Sequence, residues 1–216
     1  MLDNSTAYEK KYAITDWILS NVRGRFGNAR NITKETIFYY VYGLLHSPEY
    51  RTRFADDLKK ELPHIPIVEK VEDFIDFARI GEQLAELHLN YEQAAPWSEV
   101  EVSGAEEGNF HVDKMKFAGK TGQLYKSRII YNSDITISNI PLKAYEYVVN
   151  GRSAIEWIME SYRIKVDKDS GIRNDPNDWA KEHDKPRYIL DLLLSVIGLS
   201  MKTLELVEKL PKLEFE

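Results

Sequence analysis

The hydrophobic period of the sequence changes twice along the chain, and this change limits the possible folds more than any other feature. Apolar residues recur at helical spacing in the first third, for example at Ile37, Val41 and Leu44. The segment 127–140 (SRIIYNSDITISNI) is instead rich in β-branched residues, and helical spacing returns after residue 141. The pattern predicts an α+β fold with a helical N-terminal part, a central antiparallel β-meander and C-terminal helices.

Polar residues that can cap helices indicate where the predicted helices begin. A serine or threonine oxygen at this place accepts a hydrogen bond from a backbone amide that the first turn leaves free. N-caps are expected at Thr15, Thr33, Ser47 and Ser153. A longer helix is expected over residues 71–90, with Leu89 on its buried face.

The C-terminal half gives three further expectations. Residues 141–149 are predicted to form a short helix. Residues 167–183 are polar and rich in turn residues, so a long exposed loop is expected there. An apolar helix is predicted from Pro186 to Ile197, with Gly198 ending it and Ser200 capping a last helix.

The length and the cysteine content limit the class of protein. A chain of 216 residues can bury a core, and we expect a helical lobe over 1–95 and an α+β portion over 96–216, packed as one compact domain. Cysteine is absent, which excludes disulfides, thiolate metal sites and cysteine nucleophiles. The first residues lack a signal-peptide pattern, and the most apolar segment, 188–199, is too short to span a bilayer. We therefore expect a cytoplasmic protein.

The net charge of −6 is unevenly distributed along the chain. Residues 56–108 carry 4 basic and 14 acidic side chains (net −10), whereas residues 109–152 carry 7 basic and 3 acidic ones (net +4). The acidic average argues against a nucleic-acid partner, but the basic segment has the opposite implication. The local charge is therefore the better guide to what this chain binds.

Motifs that would indicate catalysis or a bound cofactor are incomplete. Gly119-Lys120-Thr121 resembles the end of a phosphate-binding loop, but Lys114 stands where that pattern needs its first glycine. The five histidines are scattered, with no pair at the three- or four-residue spacing of a helical metal site. We expect no catalytic residue, no metal and no cofactor, although an uncharacterised hydrolase site remains an open alternative.

The basic segment contains the candidate binding residues. Five cations lie within fifteen residues, at Lys114, Lys116, Lys120, Lys126 and Arg128. Cations at this density neutralise phosphates, and arginine and lysine also contact guanine in the major groove. Gln123 and Asn132 are candidates for contacts with base edges, and Arg152 and Lys181 for peripheral phosphate contacts. A solvated sheet face that balances the acidic helices is the alternative, and composition alone does not decide between the two.

Long strings outside this segment resemble the C-terminal region of Type ISP restriction–modification enzymes. Those strings are 32–51 (ITKETIFYYVYGLLHSPEYR), 62–66 (LPHIP), 84–92 (LAELHLNYE), 145–157 (YEYVVNGRSAIEW), 174–179 (NDPNDW) and 186–192 (PRYILDL). They extend over nearly the whole chain. The resemblance implies a target recognition domain that binds duplex DNA and selects an asymmetric site.

The same resemblance implies the partners of the domain. Enzymes of this kind join a nuclease, a helicase-type ATPase and an adenine methyltransferase to the recognition domain in one polypeptide. The chain is then expected to be non-catalytic by itself and to contact the methyltransferase and helicase domains. The segment Asn109–Lys126 resembles the family least, so sequence specificity is expected there. The alternative is a protein-interaction module that docks to one of those domains through the aromatic helix Ile37–Leu45.

Overall fold

The computed structural model describes residues 11–27, 29, 31–120 and 122–213. Residues 1–10 and Thr121, which entered two of the expectations above, lie outside the described residues. The chain forms two compact units, one of residues 1–85 with 209–216 and one of residues 86–208. The predicted division into folding domains at residue 95 stays a prediction.

The first unit is helical, and the expected caps begin its helices. It contains α1 (Asp16–Arg25), α2 (Lys34–His46), α3 (Pro48–Arg53), a 3₁₀ turn (Asp57–Lys59) and most of α4 (Val71–Leu89). The side-chain oxygens of Thr15, Thr33 and Ser47 accept the amides of residues three positions later, at 3.3, 3.1 and 3.3 Å. The predicted N-caps are confirmed here because the sequence places a hydroxyl directly before each helical run.

Two glycines allow α2 and α4 to pack at backbone contact. A Cβ on Gly81 would overlap the Tyr39 carbonyl oxygen and lie 2.7 Å from the Gly43 amide nitrogen. Beside this contact, the buried ring of Tyr40 stacks on Phe74 with centroids 4.2 Å apart. The prediction for Leu89 is wrong, since its side chain is 81% exposed at the end of α4.

The second unit contains a four-stranded antiparallel sheet. Its strands are β1 (Glu101–Ser103), β2 (Lys116–Lys120), β3 (Gln123–Ile130) and β4 (Thr136–Ser138), in the order β1-β4-β3-β2. The antiparallel β region is therefore confirmed, although β1 pairs with β4 and not with its neighbour in sequence. Buried residues of β3, β4 and the last helix, among them Ile129, Ile137 and Leu193, form the core of this unit.

The last helix, α7 (Tyr188–Val207), is continuous, so the predicted interruption at Gly198 is wrong. A Cβ on Gly198 would overlap the carbonyl oxygen of Ala95 and lie 3.2 Å from the amide nitrogen of Trp97. The glycine permits a close approach of two backbones and does not end a helix. Sequence alone does not separate these two uses of glycine.

Two other expectations for the C-terminal half are corrected. Residues 141–149 form a 3₁₀ helix (Leu142–Glu146) and then one strand of a small hairpin, β5 (Val148–Val149) with β6 (Arg152–Ser153). Asn150 and Gly151 have φ of 50° and 79°, which suits the two-residue turn that joins these strands. The turn signal was present in the sequence and outweighs the helical spacing before it.

The predicted loop over 167–183 is largely ordered structure. The segment follows α5 (Ala154–Ser161) and the strand β7 (Lys165–Val166). It contains β8 (Arg173–Asn174), which pairs with β7 in a hairpin, and then α6 (Pro176–Glu182). Asn177 anchors α6, because its buried side chain donates to the Val112 carbonyl at 2.9 Å and accepts the Val112 amide at 3.0 Å. One buried asparagine thus fixes a segment whose composition is otherwise that of a loop.

Candidate nucleic-acid interface

The basic segment forms the hairpin of β2 and β3, and its register shifts in the middle. Lys116 and Phe117 pair with Ile130 and Ile129, whereas Ala118–Lys120 pair with Gln123–Tyr125. Residues 126–128 of β3 therefore have no partner on β2 and form a bulge. Bulges redirect side chains that a regular strand would alternate between its two faces.

Glycine makes the narrow end of this hairpin possible. Gly119 has φ of 110°, and a Cβ there would overlap the Gln123 carbonyl oxygen across the strand pair. Gly122 has φ of 92°, so both positions use backbone conformations that side chains with a Cβ rarely adopt. The hairpin end carries Lys120 and Gln123 opposite each other, and both are exposed.

Four of the five predicted cations have no ionic partner among the described residues. They are Lys114, Lys116, Lys120 and Arg128, all exposed. Lys114 and Lys116 flank Met115, which is 2% exposed and belongs to the core. The buried methionine fixes the backbone between them, and neither ammonium group lies within ion-pair distance of a carboxylate among the described residues.

The fifth cation, Lys126, is held against the protein. Its Nζ lies 3.0 Å from Glu156 Oε1 and 5.1 and 5.6 Å from the ring centroids of Tyr145 and Phe117. The Tyr145 hydroxyl also donates to the Lys126 carbonyl at 2.7 Å. Lys126 therefore shares its charge with a carboxylate and two aromatic faces, unlike the other four cations.

The neighbours of Glu156 favour the ionised form of its carboxyl group. Burial alone would raise its pKa, but hydrogen bonds from Ser153 and Lys126 and the charge of Lys126 outweigh burial and lower the pKa of Glu156. A depressed pKa means that this carboxylate stabilises the fold above its unfolded pKa, and that the contribution is lost as pH falls through the folded value. At neutral pH the Lys126–Glu156 pair is therefore intact.

The two predicted base-reading residues have different surroundings. Gln123 is exposed at the hairpin end and its side chain forms no hydrogen bond among the described residues. Asn132 is engaged instead, since its Nδ2 donates to the carbonyls of Asn109 and His111 at 2.8 and 2.9 Å. Its Oδ1 accepts the amides of Asp134 and Ile135 at 2.9 and 2.7 Å. A base contact by Asn132 would require breaking these bonds.

The two predicted peripheral residues lie on other elements. Arg152 is in β6, with its guanidinium 5.0 Å from the ring centroid of Trp157. Lys181 is in α6, with Nζ 3.8 Å from Asp178 Oδ1. Both side chains are exposed, and the Lys181–Asp178 ion pair is of the weak surface type.

A small polar cleft beside the bulge was missed by the sequence analysis. It has a volume of about 220 Å³ and is lined by Tyr125, Ser127, Arg128, Ser138 and Asn139 together with Ala118. Asn139 has φ of 59°, an uncommon conformation for a residue other than glycine. The cleft results from the register shift, for which no sequence pattern gives a signal.

A second cleft in the same unit is apolar and was also missed. Its volume is about 470 Å³, and its lining includes His88, Tyr91, Tyr147, Val149 and Trp157. His88 stacks on Tyr147 with centroids 5.6 Å apart, and its Nε2 lies 3.0 Å from Thr203 Oγ1. The lining residues are far apart in sequence, so their convergence depends on the tertiary fold.

The docking surface of the alternative hypothesis, the helix segment Ile37–Leu45, is partly buried in the first unit. Within Ile37–Leu45, the side chains of Ile37, Tyr40 and Leu44 are buried, and Phe38 is 50% exposed. The aromatic helix α2 therefore serves the core of the first unit. Phe38 is exposed and Tyr39, Val41, Tyr42 and Leu45 are partly exposed, so docking through this helix stays a prediction.

The described residues contain no group of three or more histidine and acidic side chains that could hold a metal ion. None of their helices combines the length and the apolar character needed to cross a membrane.

Comparison with known proteins gives a family match and matches to solved structures. A family model described as the Type ISP C-terminal specificity domain matches residues 2–192. One similar structure is a nuclease-deletion mutant of the Type ISP restriction-modification enzyme LlaGI in complex with a DNA substrate mimic. It is 52% identical with a TM-score of 0.76, over 86% of this chain and 17% of that one.

The ATP-dependent Type ISP restriction-modification enzyme LlaBIII bound to DNA is 47% identical with a TM-score of 0.82, over 99% of this chain and 13% of that one. A DrdV–DNA complex is 28% identical with a TM-score of 0.74, over 92% of this chain and 20% of that one. No curated protein shows significant similarity. The chain thus spans a fifth or less of each of these three proteins.

Proposed function

The chain belongs to the family of Type ISP C-terminal specificity domains, and from this premise we propose that it binds duplex DNA and selects the target sequence. The observation that carries the proposal is the set of four exposed, unpaired cations on and before the β2–β3 hairpin. Cations without carboxylate partners are available to neutralise phosphates. The counterions that this releases from the DNA drive binding. The structures to which the chain is similar are DNA complexes.

Within this proposal the predicted residues have distinct roles. Lys114, Lys116, Lys120 and Arg128 contact the backbone and guanine, and Gln123 contacts a base edge. Lys126 joins them when Glu156 releases it, and Arg152 and Lys181 contact peripheral phosphates. Asn132 positions the turn from which β4 begins. Specificity then depends on the hairpin end and on the small polar cleft beside Arg128.

The proposal extends to the parent polypeptide. We infer that the chain is the recognition part of a cytoplasmic restriction–modification enzyme and is non-catalytic by itself. Its partners are then the methyltransferase and helicase domains of that enzyme. The apolar cleft supports this contact, because Trp157 in its lining is 38% exposed although it is large and apolar.

Glu156→Gln tests whether the hairpin contacts DNA. The variant keeps the hydrogen-bonding pattern of the Ser153 capping box, since glutamine replaces glutamate in that motif. It removes the carboxylate that holds Lys126, so that cation becomes available to a phosphate. We expect affinity for a mixed-sequence duplex to rise about fivefold at 0.15 M salt, as one added phosphate contact with a salt slope of about 0.9 implies. Fluorescence anisotropy with a labelled duplex measures this.

Glu99→Gln is the matched control for this experiment. Glu99 lies in the same unit, is exposed and pairs with no cation among the described residues, so the substitution removes the same charge without releasing any cation. Equal affinities of the two variants would contradict a role for the hairpin, because a change in net charge alone would then explain the result.

A further inference from the structure

A cationic cleft in the helical unit has no role in the function described so far. Its volume is about 510 Å³, and four basic side chains line it: Arg25, Arg53, Lys70 and Lys212. All four are exposed, and none forms an ion pair among the described residues. The cleft belongs entirely to the first unit, so it is a separate feature from the β2–β3 hairpin of the second.

Hydrogen bonds to a buried side chain hold one wall of the cleft in place. It contains Pro66, Ile67 and Val68 of the connection between α3 and α4. The Tyr40 hydroxyl donates to the Pro66 carbonyl at 2.7 Å and accepts the Val68 amide at 3.2 Å. Burial raises the pKa of Tyr40 to about 12, so the hydroxyl remains a donor over the whole physiological range. The connection is thus fixed in place by the core, as a preformed binding surface requires.

The charge of the cleft favours an anion. Two carboxylates, Glu69 and Asp73, also line it, so four cations and two anions leave a net charge of +2. Neither carboxylate pairs with a cation among the described residues.

Helix stability accounts for the positions of only some of these four cations. Arg25 and Arg53 stand at the ends of α1 and α3, where a cation is favourable to the helix dipole. Lys70 directly precedes α4, where a cation is unfavourable. Its position there is therefore not accounted for by the stability of the helix.

We propose that this cleft is a second binding site for the phosphodiester backbone of duplex DNA. The inference rests on the proposed function and adds to it a contact that carries no sequence information, since phosphate contacts position a protein without reading bases. Arg25 and Arg53 present planar guanidinium groups suited to phosphate, and Lys70 and Lys212 add charge at the rim. The helical unit thereby contributes affinity, and the hairpin contributes affinity and specificity.

The double variant Arg25→Gln, Arg53→Gln tests the site in the full 216-residue chain. With a 30-base-pair mixed-sequence duplex at 0.15 M salt, we expect affinity to fall about 25-fold, since each lost phosphate contact costs about fivefold. The control is Arg51→Gln, Lys60→Gln, which removes two exposed cations of the same unit that do not line the cleft. The control should lower affinity less than about threefold, through net charge alone.

A variant that gains affinity distinguishes an effect on the cleft from an effect of misfolding. Glu69→Gln removes a carboxylate from the cleft, and we expect it to strengthen duplex binding about fivefold. A misfolded variant does not bind more tightly, so this result supports the site independently.

The absence of cysteine allows a direct positional test. An iron chelate attached at Lys212→Cys is expected to cut the bound duplex, and the same chelate at Lys60→Cys is expected to cut it several-fold less.

The outcomes distinguish this inference from the proposed function. If the unaltered chain does not bind duplex DNA, both are overturned. If the chain binds, charge reversal of Lys114 and Lys116 lowers affinity, and the cleft variant equals its control, only the second site is overturned. An acidic protein partner would be the alternative ligand of the cleft in that case, because DNA affinity would then be independent of it.

Discussion

Charge reversal of Lys114 and Lys116 to glutamate is expected to weaken duplex DNA binding about 100-fold or more at 0.15 M salt. Two lost phosphate contacts account for about 25-fold of this, and repulsion between the new carboxylates and the phosphates accounts for the rest. Both lysines are exposed and have no carboxylate partner, so the substitutions break no ion pair among the described residues. A gel-shift titration with a mixed-sequence duplex measures the change.

The control for this variant reverses two exposed lysines of the same unit that lie outside the hairpin and form no ion pair among the described residues, Lys168 and Lys185. The net charge of the two variants is identical, so their difference reports position alone. An unaltered gel shift after reversal of Lys114 and Lys116 would contradict the DNA-binding hairpin. It would favour the alternative, a module that docks to another domain of the parent enzyme.

The second large effect is expected on stability. Gly81→Ala places a methyl group into the backbone contact between α2 and α4, where it overlaps the Tyr39 carbonyl oxygen. Because backbone atoms of a packed helix cannot rotate away, the helices must separate, and we expect the free energy of unfolding to fall by about 3 kcal/mol. The higher helix propensity of alanine offsets at most about 1 kcal/mol of the strain. Urea denaturation followed by circular dichroism measures the loss.

Gly24→Ala is the matched control, because Gly24 is also helical and a Cβ there would meet nothing within 4 Å. The free energy of unfolding is expected to rise by up to about 1 kcal/mol from helix propensity. If Gly81→Ala were as stable as Gly24→Ala, the close packing of α2 and α4 would be refuted.

The sequence predicts local structure well where one residue type performs one physical task. Thr15, Thr33 and Ser47 each supply a hydroxyl before a helical run, and each caps a helix as expected. The same reasoning fails for Gly198, since a glycine that ends a helix and one that admits a neighbouring backbone look alike in sequence. What distinguishes them is Ala95, a hundred residues away.

The candidate site shows the same limit. The density of cations in the basic segment is a local property, so the hairpin could be predicted as a charged surface. Which of those cations are available depends on distant partners: Lys126 is held by Glu156, and Asn132 is used by the loop at Asn109. The cationic cleft draws on Arg25, Arg53 and Lys212, which are too far apart in sequence for any motif to join them.

The central claim is that this chain binds duplex DNA through cations that meet phosphates. The salt dependence of binding to a mixed-sequence duplex tests it most directly. With four phosphate contacts from the hairpin alone, the logarithm of the binding constant should fall linearly with that of the salt concentration. The affinity should then drop about 100-fold or more between 50 and 200 mM salt. An affinity that does not change over this range would contradict the claim.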